Sequence, residues 1–316
     1  MGFLSSLFGS SRPTEEKNFE TLRDDGVRAM QMGELPYAQK CFTAALALQH
    51  DLRTVGSLAE ALLRTGEYEK ALPLLKEISQ SANDTLEVDL LLAQTQGKVG
   101  LYEEEQLTCA AIIAAHPEDP RALYLAAEAD HALHNDIMAI AHLTQCLQLR
   151  PAYEQALYLR AKVLAGMLQW AEALADVEAL MKVDDEQADY LLLHADILAA
   201  LGRTDEATAD LQKVLTLNPF CDAATLKLGS LYEQTTQWDK ALTLYDEAID
   251  MRPEFAAAYK ARGGVKNHLK DAEGAAADLK RSLELAPERA KDLDGEYTNV
   301  ENEMNDRYKR LNPYGF

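Results

Sequence analysis

The segment 222–255 carries a pattern of apolar residues that predicts two short amphipathic helices. Apolar residues recur at spacings of three and four on both sides of a polar stretch at 234–237. They are Leu226, Leu228, Leu231 and Tyr232 before this stretch, and Trp238, Ala241, Leu242, Tyr245, Ala248 and Ile249 after it. Pro253 ends the pair, because proline lacks the N–H donor and disfavours helix in the preceding residue. Two helices this short cannot bury their apolar faces alone, so the pattern predicts neighbouring copies.

Copies of this pattern occur along the chain with a period of 34 residues. Three columns share the period: a small residue in the first helix, an alanine in the second, and a proline after it. The first column contains Ala59, Ala93, Ala127, Ala161, Ala195, Gly229 and Gly263. The second contains Ala139, Ala173, Ala207, Ala241 and Ala275. The third contains Pro117, Pro151, Pro219, Pro253 and Pro287, with Asp185 as the exception. Three independent columns with one period favour a repeat protein.

The unit resembles a tetratricopeptide repeat, with its small residue, aromatic residue, alanine and closing proline in the places that this family uses. The resemblance covers about residues 19–289 and implies an all-α, right-handed superhelical solenoid of helix-turn-helix repeats. We expect eight units, the first one residue shorter than the others. They begin at Phe19, Leu52, Leu86, Pro120, Glu154, Ala188, Asp222 and Ala256. Residues 1–18 are expected to be a flexible or short amphipathic segment, and residues 290–316 a capping helix with an aromatic tail.

The chain is strongly acidic, with a formal net charge of −21. A surface of this sign repels the phosphates of nucleic acid and anionic lipid, so we expect neither as a partner. No apolar run approaches the roughly 20 residues of a membrane-spanning helix. The four cysteines form no CxxC pair, which favours a reduced, cytoplasmic setting.

Three departures from the repeat pattern mark places of interest. Glu105 stands in the alanine column, where a charge predicts a looser contact between the helices or a local shift. Asn83 replaces the closing proline of the second unit, so the junction that follows is expected to be soft. The last unit alone is net positive, and its first helix carries Lys260, Arg262 and Lys266. Pairing of this helix with the acidic residues of the final segment is favoured over binding of an acidic partner.

Both chain ends leave alternatives open. Phe3, Leu4, Leu7 and Phe8 can line one face of a short helix, which would dock on the array, on a partner or, as a minority interpretation, on a membrane. Met1-Gly2 with Ser6 fits the loose pattern for N-myristoylation. A single acyl chain at this position would give only marginal membrane binding. Near the other end, a single apolar stripe predicts a capping helix or a surface for self-association. Its members are Leu293, Tyr297, Val300, Met304, Tyr308 and Leu311.

The sequence contains no recognisable catalytic arrangement. Glycine-rich phosphate loops, GxSxG and HExxH are missing. His131 and His134, with Asp130 and Asp136, form the nearest approach to a metal cluster. Surface histidines explain them better, because three or four convergent ligands are needed. We therefore expect no enzyme, no cofactor and no metal.

The resemblance to the family implies a concave groove lined by the first helices, at positions 2, 5, 9, 12 and 13 of each unit. The groove residues carried over to this chain are Arg121, Tyr124, Glu128, His131, Gln155, Tyr158, Lys162, Asp189, Leu192, Asp196, Leu226, Ser230, Glu233, Lys260, Asn267 and His268. Tyr124 and Tyr158 occupy one column in adjacent units, either as peptide anchors or as packing between helices. Lys260 is followed at position 9 by Gly264 rather than asparagine. This departs from the family members that bind the acidic tails of chaperones and argues against such a partner.

These observations predict a non-catalytic scaffold or adaptor that holds a peptide or a partner helix in its concave groove. Two other classes of function remain open at this stage. One is a membrane-associated assembly factor tethered by its apolar N-terminus, and the other is the recognition subunit of an enzyme complex.

Overall fold

The computed structural model describes residues 14–81 and 85–287 and, within them, sixteen α-helices and no strand. The first nine are α1 (Thr14–Met32), α2 (Leu35–Leu48), α3 (Leu52–Arg64), α4 (Tyr68–Ser81), α5 (Leu86–Lys98), α6 (Tyr102–Ala115), α7 (Pro120–Ala132), α8 (Asp136–Leu149) and α9 (Glu154–Gly166). The other seven are α10 (Trp170–Met181), α11 (Ala188–Ala200), α12 (Thr204–Leu217), α13 (Asp222–Gln234), α14 (Trp238–Met251), α15 (Ala256–His268) and α16 (Ala272–Leu285). The all-α class expected from the sequence is confirmed.

The described residues form two compact units, which divide between residues 167 and 168. The N-terminal unit contains α1 to α9 and the C-terminal unit contains α10 to α16. Within each unit, consecutive helices pack against each other, and odd-numbered helices such as α5 and α7 or α13 and α15 also touch. The side chains of a repeat therefore find their apolar partners in its immediate neighbours, as expected for a repeat protein.

Tight turns join the two helices of each pair. Where the chain has glycine at the end of the first helix, that glycine is left-handed, with φ of 77° at Gly33 and Gly66 and 79° at Gly100. After Gly33, the Glu34 N–H donates to the Ala29 carbonyl at 2.9 Å, which satisfies a helix-end acceptor. Non-glycine residues adopt the same conformation in four other pairs, at some cost in strain. These are His134, Leu168, Thr236 and Lys270.

Small residues let the two helices of a pair approach closely. Gly229 illustrates the distance, because a Cβ there would lie 2.1 Å from the Tyr245 hydroxyl oxygen. Gly26 has the same relation to Phe42 in the first pair. In the second helices the alanine column is fully buried at Ala38, Ala71, Ala139, Ala173, Ala207 and Ala241. Larger residues in these columns would overpack the interface.

Several expectations meet the structure at particular residues, and others lie outside the described residues. Glu105, the charge in the alanine column, is buried against Gly97 of α5. Residues 14–18, assigned to the N-terminal segment, belong to α1. The apolar residues 3–8, the junction at Asn83, the stripe from Leu293 to Leu311 and the aromatic tail lie outside the described residues. Among the described helices, none is both long and apolar enough to cross a membrane.

Candidate functional site

A cavity of about 660 Å³ lies in the N-terminal unit along the first helices α5, α7 and α9. Its apolar lining comes from Leu90, Leu91, Leu125 and Leu159. Its polar and aromatic lining includes Glu87, Lys98, Tyr102, Glu105, Arg121, Tyr124, Glu128, His131, Tyr153 and Gln155. Leu91 is 41% exposed, so an apolar side chain is presented to whatever occupies the cavity. Five residues that the sequence predicted for the groove come together here: Arg121, Tyr124, Glu128, His131 and Gln155.

Two tyrosine rings form an aromatic wall of this cavity. The ring centroids of Tyr124 on α7 and Tyr153, which precedes the first turn of α9, lie 5.4 Å apart and are tilted by 37°. The Arg150 guanidinium lies 5.0 Å from the Tyr153 ring centroid and holds this ring from the other side. Tyr124 thus packs against the neighbouring repeat and also lines the cavity.

Tyr124 also fixes a carboxylate in the cavity. Its hydroxyl donates to Glu128 Oε1 at 2.9 Å, one helical turn further along α7. Burial raises the pKa of Glu128, although the Tyr124 hydrogen bond and the Lys98 charge oppose this rise. Burial, followed by the Glu128 carboxylate, likewise raises the pKa of the Tyr124 hydroxyl. The pair is therefore a neutral donor held against a partly desolvated acceptor.

Glu105 is the least expected member of the cavity. It is 2% exposed, and its Oε2 atom is buried without a hydrogen-bond partner. A Cβ on Gly97 would lie 2.6 Å from this atom, so the glycine in α5 provides the room for the carboxylate. Burial, and then the charge of Glu128, raises the pKa of Glu105 to about 8, against a smaller opposing effect of Lys98. At neutral pH Glu105 is therefore mostly the neutral acid.

The positive charge of Arg121 at the rim is already engaged. Its guanidinium donates to both carboxylate oxygens of Glu87, each at 2.9 Å, and to Asp119 Oδ2 at 2.6 Å. Asp119 also accepts from the Arg121 backbone N–H at 2.9 Å, which caps the start of α7. Arg121 thus ties α5 to α7 and is not free to receive an acidic group of a partner.

Tyr158 and Lys162, also predicted for the groove, do not line the cavity. Tyr158 is half-buried, and the Lys162 ammonium lies 5.7 Å from its ring centroid. The two tyrosines of one sequence column therefore differ in their surroundings. Tyr124 faces Glu128 and Tyr153, whereas Tyr158 supports an exposed lysine on its own helix.

The remaining predicted residues belong to the C-terminal unit. Asp196 accepts from the Lys227 ammonium at 2.6 Å, and Ser230 accepts from the Gln234 amide at 3.3 Å. His268 stacks on Trp238 with ring centroids 3.8 Å apart. Lys260 and Asn267 are exposed on α15. These residues are distributed over α11, α13 and α15 and do not line the 660 Å³ cavity.

Two basic residues of α15 already have partners within the described residues. Arg262 forms ion pairs with Asp278 on α16 and Asp246 on α14, both at 2.6 Å, and Lys266 joins Asp278 at 2.8 Å. The sequence favoured pairing with acidic residues of the final segment, which lies outside the described residues. Within the described residues, the carboxylates that pair with these two cations lie on the adjacent helices α14 and α16.

The histidines considered as metal ligands have other roles. His131 Nδ1 lies 2.7 Å from Asp136 Oδ1, in the turn between α7 and α8. Asp130 is buried, where it accepts from Gln106 and contacts His142 Nδ1 at 2.7 Å. Across residues 14–81 and 85–287, no group of three or more potential metal-ligating side chains comes together.

Sequence reasoning missed part of this site. Tyr153 lies in the loop before α9 and Leu91 lies outside the groove columns, so the family pattern gave no signal for either. Glu105 was noticed as a departure from the alanine column but was not assigned to the groove. A signal for its role is present in the sequence, because Gly97 stands one residue before the end of α5 and leaves room for a long side chain.

Comparison with known proteins agrees with this architecture. The tetratricopeptide repeat family matches residues 24–84, 158–221 and 226–290, which is more than half of the chain. The chain belongs to this family. No curated protein sequence matches it.

Two solved structures show the same fold. One is a tetratricopeptide repeat protein from Parabacteroides merdae, which is 17% identical with a TM-score of 0.51 over 85% of this chain and 94% of that one. The other is in the APC/C hetero-tetramer Cut9-Hcn1, at 15% identity and a TM-score of 0.53. This second likeness covers 80% of the present chain and 50% of the other chain. At these identities the comparisons establish the fold alone.

Proposed function

We propose that this protein is a non-catalytic interaction scaffold that binds an extended peptide segment of a protein partner in the cavity along α5, α7 and α9. The observation that carries this proposal is the meeting of Tyr124, Tyr153 and Leu91 at one cavity. The cavity volume of about 660 Å³ falls within the range of ligand sites, roughly 300–1,000 Å³. Tyrosine anchors of this kind contribute much contact area and lose little side-chain entropy on binding.

The chemistry around the cavity supports binding rather than catalysis. Cys109 on α6, the helix that also carries Glu105, is fully buried. Burial, reinforced by the charges of Glu105, Asp130 and Glu128, raises its pKa to about 12. A thiol held in this way is an inert core residue. Cys41 and Cys146 are also buried and free, which supports our proposal of a reduced, cytoplasmic setting.

The proposal is tested by selecting peptides and locating where they bind. Random dodecapeptides displayed on phage are selected against the full chain, and the binders are measured by calorimetry. A photo-cross-linking amino acid is then placed at Leu91, inside the cavity, or at Phe220, which is exposed in the C-terminal unit. We expect cross-links at residue 91 and a loss of affinity of at least tenfold in Tyr124→Ala.

Circular dichroism of Tyr124→Ala at the assay temperature shows whether the fold is retained. Tyr37→Ala, at an exposed tyrosine on α2 that does not line the cavity, serves as the matched control and should leave binding unchanged. Selection of no binders, or binders that cross-link at residue 220 and not at residue 91, would overturn the proposed site.

A further inference from the structure

Glu105 occupies a place that the fold gives to alanine. In six other repeats the residue of this column is a fully buried alanine, at Ala38, Ala71, Ala139, Ala173, Ala207 and Ala241. The chain places a carboxylate there, and α5 has a glycine at position 97 that leaves space for it. Packing therefore does not require this side chain. A buried group that breaks the local rule and lacks a compensating contact marks a candidate functional position.

The carboxyl group of Glu105 lacks one of its hydrogen-bond partners in the described structure. Its Oε2 has no hydrogen-bond partner within the described structure, although the residue is only 2% exposed to solvent. A buried carboxylate oxygen without a partner is costly, because it has lost water and gained nothing in return. The same residue lines the cavity, so the missing partner can arrive from there.

A second acidic side chain, Glu128, lines the same cavity, and Tyr124 holds it in place through one of its oxygens. Two ionised carboxylates in a partly desolvated cavity would repel each other, and this repulsion adds to the burial that keeps Glu105 neutral. A cation that enters the cavity removes the repulsion and favours the ionised form of both groups. The aromatic wall of Tyr124 and Tyr153 adds ring faces, which also attract cations.

The cations already present do not fill this role. Arg121 is held by Glu87 and Asp119 at the rim. Lys98 is exposed at the end of α5 and acts on both carboxylates through its charge rather than through a hydrogen bond. A basic group that enters the cavity from a partner would be the first to contact Glu105 directly.

We propose that Glu105 and Glu128 form a receptor for one lysine or arginine side chain of the bound peptide. The basic group donates to the free Glu105 oxygen and to Glu128, while the aliphatic part of its side chain lies against the tyrosine wall. This inference rests on the proposed peptide-binding function and adds the chemistry of the partner. The acidity of the chain as a whole, at −21, favours the approach of a basic partner.

The selected peptides described above provide the test. We expect each tight binder to contain a lysine or arginine whose replacement by norleucine or citrulline lowers affinity at least tenfold. Glu105→Gln and Glu128→Gln should each weaken the parent peptide by a similar factor. The neutral peptide should bind wild type and these variants equally. Glu103→Gln, an exposed carboxylate on the same helix, is the control and should change affinity less than twofold.

Each result decides between the two proposals. Binders that cross-link at residue 91 but contain no essential basic residue would overturn the receptor for a cation and leave the peptide-binding scaffold standing. An equal effect of norleucine on wild type and on Glu105→Gln would do the same. Light scattering identifies a second copy as the occupant if the chain is a dimer and Glu105→Gln makes it monomeric, and this too would overturn the proposal. Selection of no peptides at all would remove both proposals together.

Discussion

The carboxylate of Glu105 lies against the backbone of Gly97, close enough that a Cβ on the glycine would stand 2.6 Å from Oε2 and 2.8 Å from Oε1. One residue on α6 and one on α5 therefore depend on each other. Glycine at position 97 lowers the helix propensity of α5, and burial of Glu105 costs the solvation of its carboxyl group. Alanine at both positions would be compatible with the fold. This relationship gives the cavity its buried acid.

Gly97→Ala tests this dependence directly. Alanine gains about 1 kcal/mol of helix propensity, but the Cβ contact with the buried carboxylate costs roughly 1–3 kcal/mol. We expect a net loss in the free energy of unfolding for the single variant and a gain of about 1 kcal/mol when Glu105→Ala is also present. Gly56→Ala on α3 is the control, because its Cβ meets nothing closer than 3.8 Å. Additive effects of the two substitutions, measured by urea unfolding, would contradict the dependence.

The contribution of Glu105 to the free energy of unfolding should fall as pH rises, because Glu105 is protonated in the folded chain at pH values where it is already ionised in the unfolded chain. Its pKa rises from 4.5 in the unfolded chain to about 8 in the fold. Between these values the folded chain binds the extra proton, so the contribution of Glu105 to stability is fully present below pH 4.5 and is lost as pH rises towards 8. The contribution is at most about 1.4 kcal/mol per pH unit.

Glu105→Gln removes this contribution without changing the shape of the side chain. We expect its free energy of unfolding, relative to wild type, to increase between pH 5 and pH 8. Glu104→Gln should not show this increase, because Glu104 pairs with Lys76 and its pKa is lowered by that lysine. If the difference between Glu105→Gln and wild type is the same at both pH values, Glu105 is already ionised in the fold.

Ala241→Leu should destabilise the C-terminal unit by roughly 1–3 kcal/mol, because this column has no room for a larger side chain. Ala241 is fully buried between α13 and α14. The matched control is Glu247→Leu, which introduces the same residue at an exposed site on the same helix. Thermal unfolding, monitored by circular dichroism, compares the two variants. Equal melting temperatures would show that the alanine column accepts a larger side chain.

Asp278→Ala should destabilise α15 and α16 by about 3 kcal/mol, since it leaves two cations without their shared buried partner. Asp278 is 7% exposed at its side chain and pairs with Arg262 and Lys266. Although burial raises its pKa, the hydrogen bonds from Arg262 and Lys266 lower it below the usual value. Its contribution is therefore present at neutral pH and is lost as pH falls through the folded pKa. Asp246→Ala removes a more exposed partner of Arg262 and should cost less. The reverse order, measured by urea unfolding at pH 7, would refute this ranking.

The sequence predicted the fold well because the fold is local and periodic. Small columns such as Gly229 and Ala241 are required wherever two helices approach closely, so they appear at a fixed spacing. Left-handed glycines such as Gly66 mark helix ends for a similar reason. Because each repeat has the same packing requirements, the same residue types recur at the same positions along the chain, and the family comparison matches them in three segments.

The candidate site was predicted in part, because its distinctive residues arise from departures rather than from the repeat. The groove columns gave Arg121, Tyr124, Glu128, His131 and Gln155 by analogy. They could not show that Arg121 is already paired, since its partner Glu87 lies 34 residues earlier on another helix. Nor could they show that Glu105 is buried, because a charge at that place is expected to avoid the interior.

The central claim, that Glu105 receives a cation from the partner, is tested most directly by counting protons during binding. At pH 7 burial, reinforced by the charge of Glu128 and opposed by that of Lys98, raises the pKa of Glu105 far enough to hold it mostly protonated in the free protein. A basic side chain that binds there displaces the proton, so calorimetry of a selected peptide in phosphate and in Tris buffer should show the release of nearly one proton. Glu105→Gln should release none. Equal proton release by wild type and Glu105→Gln, or no release by either, would contradict the claim.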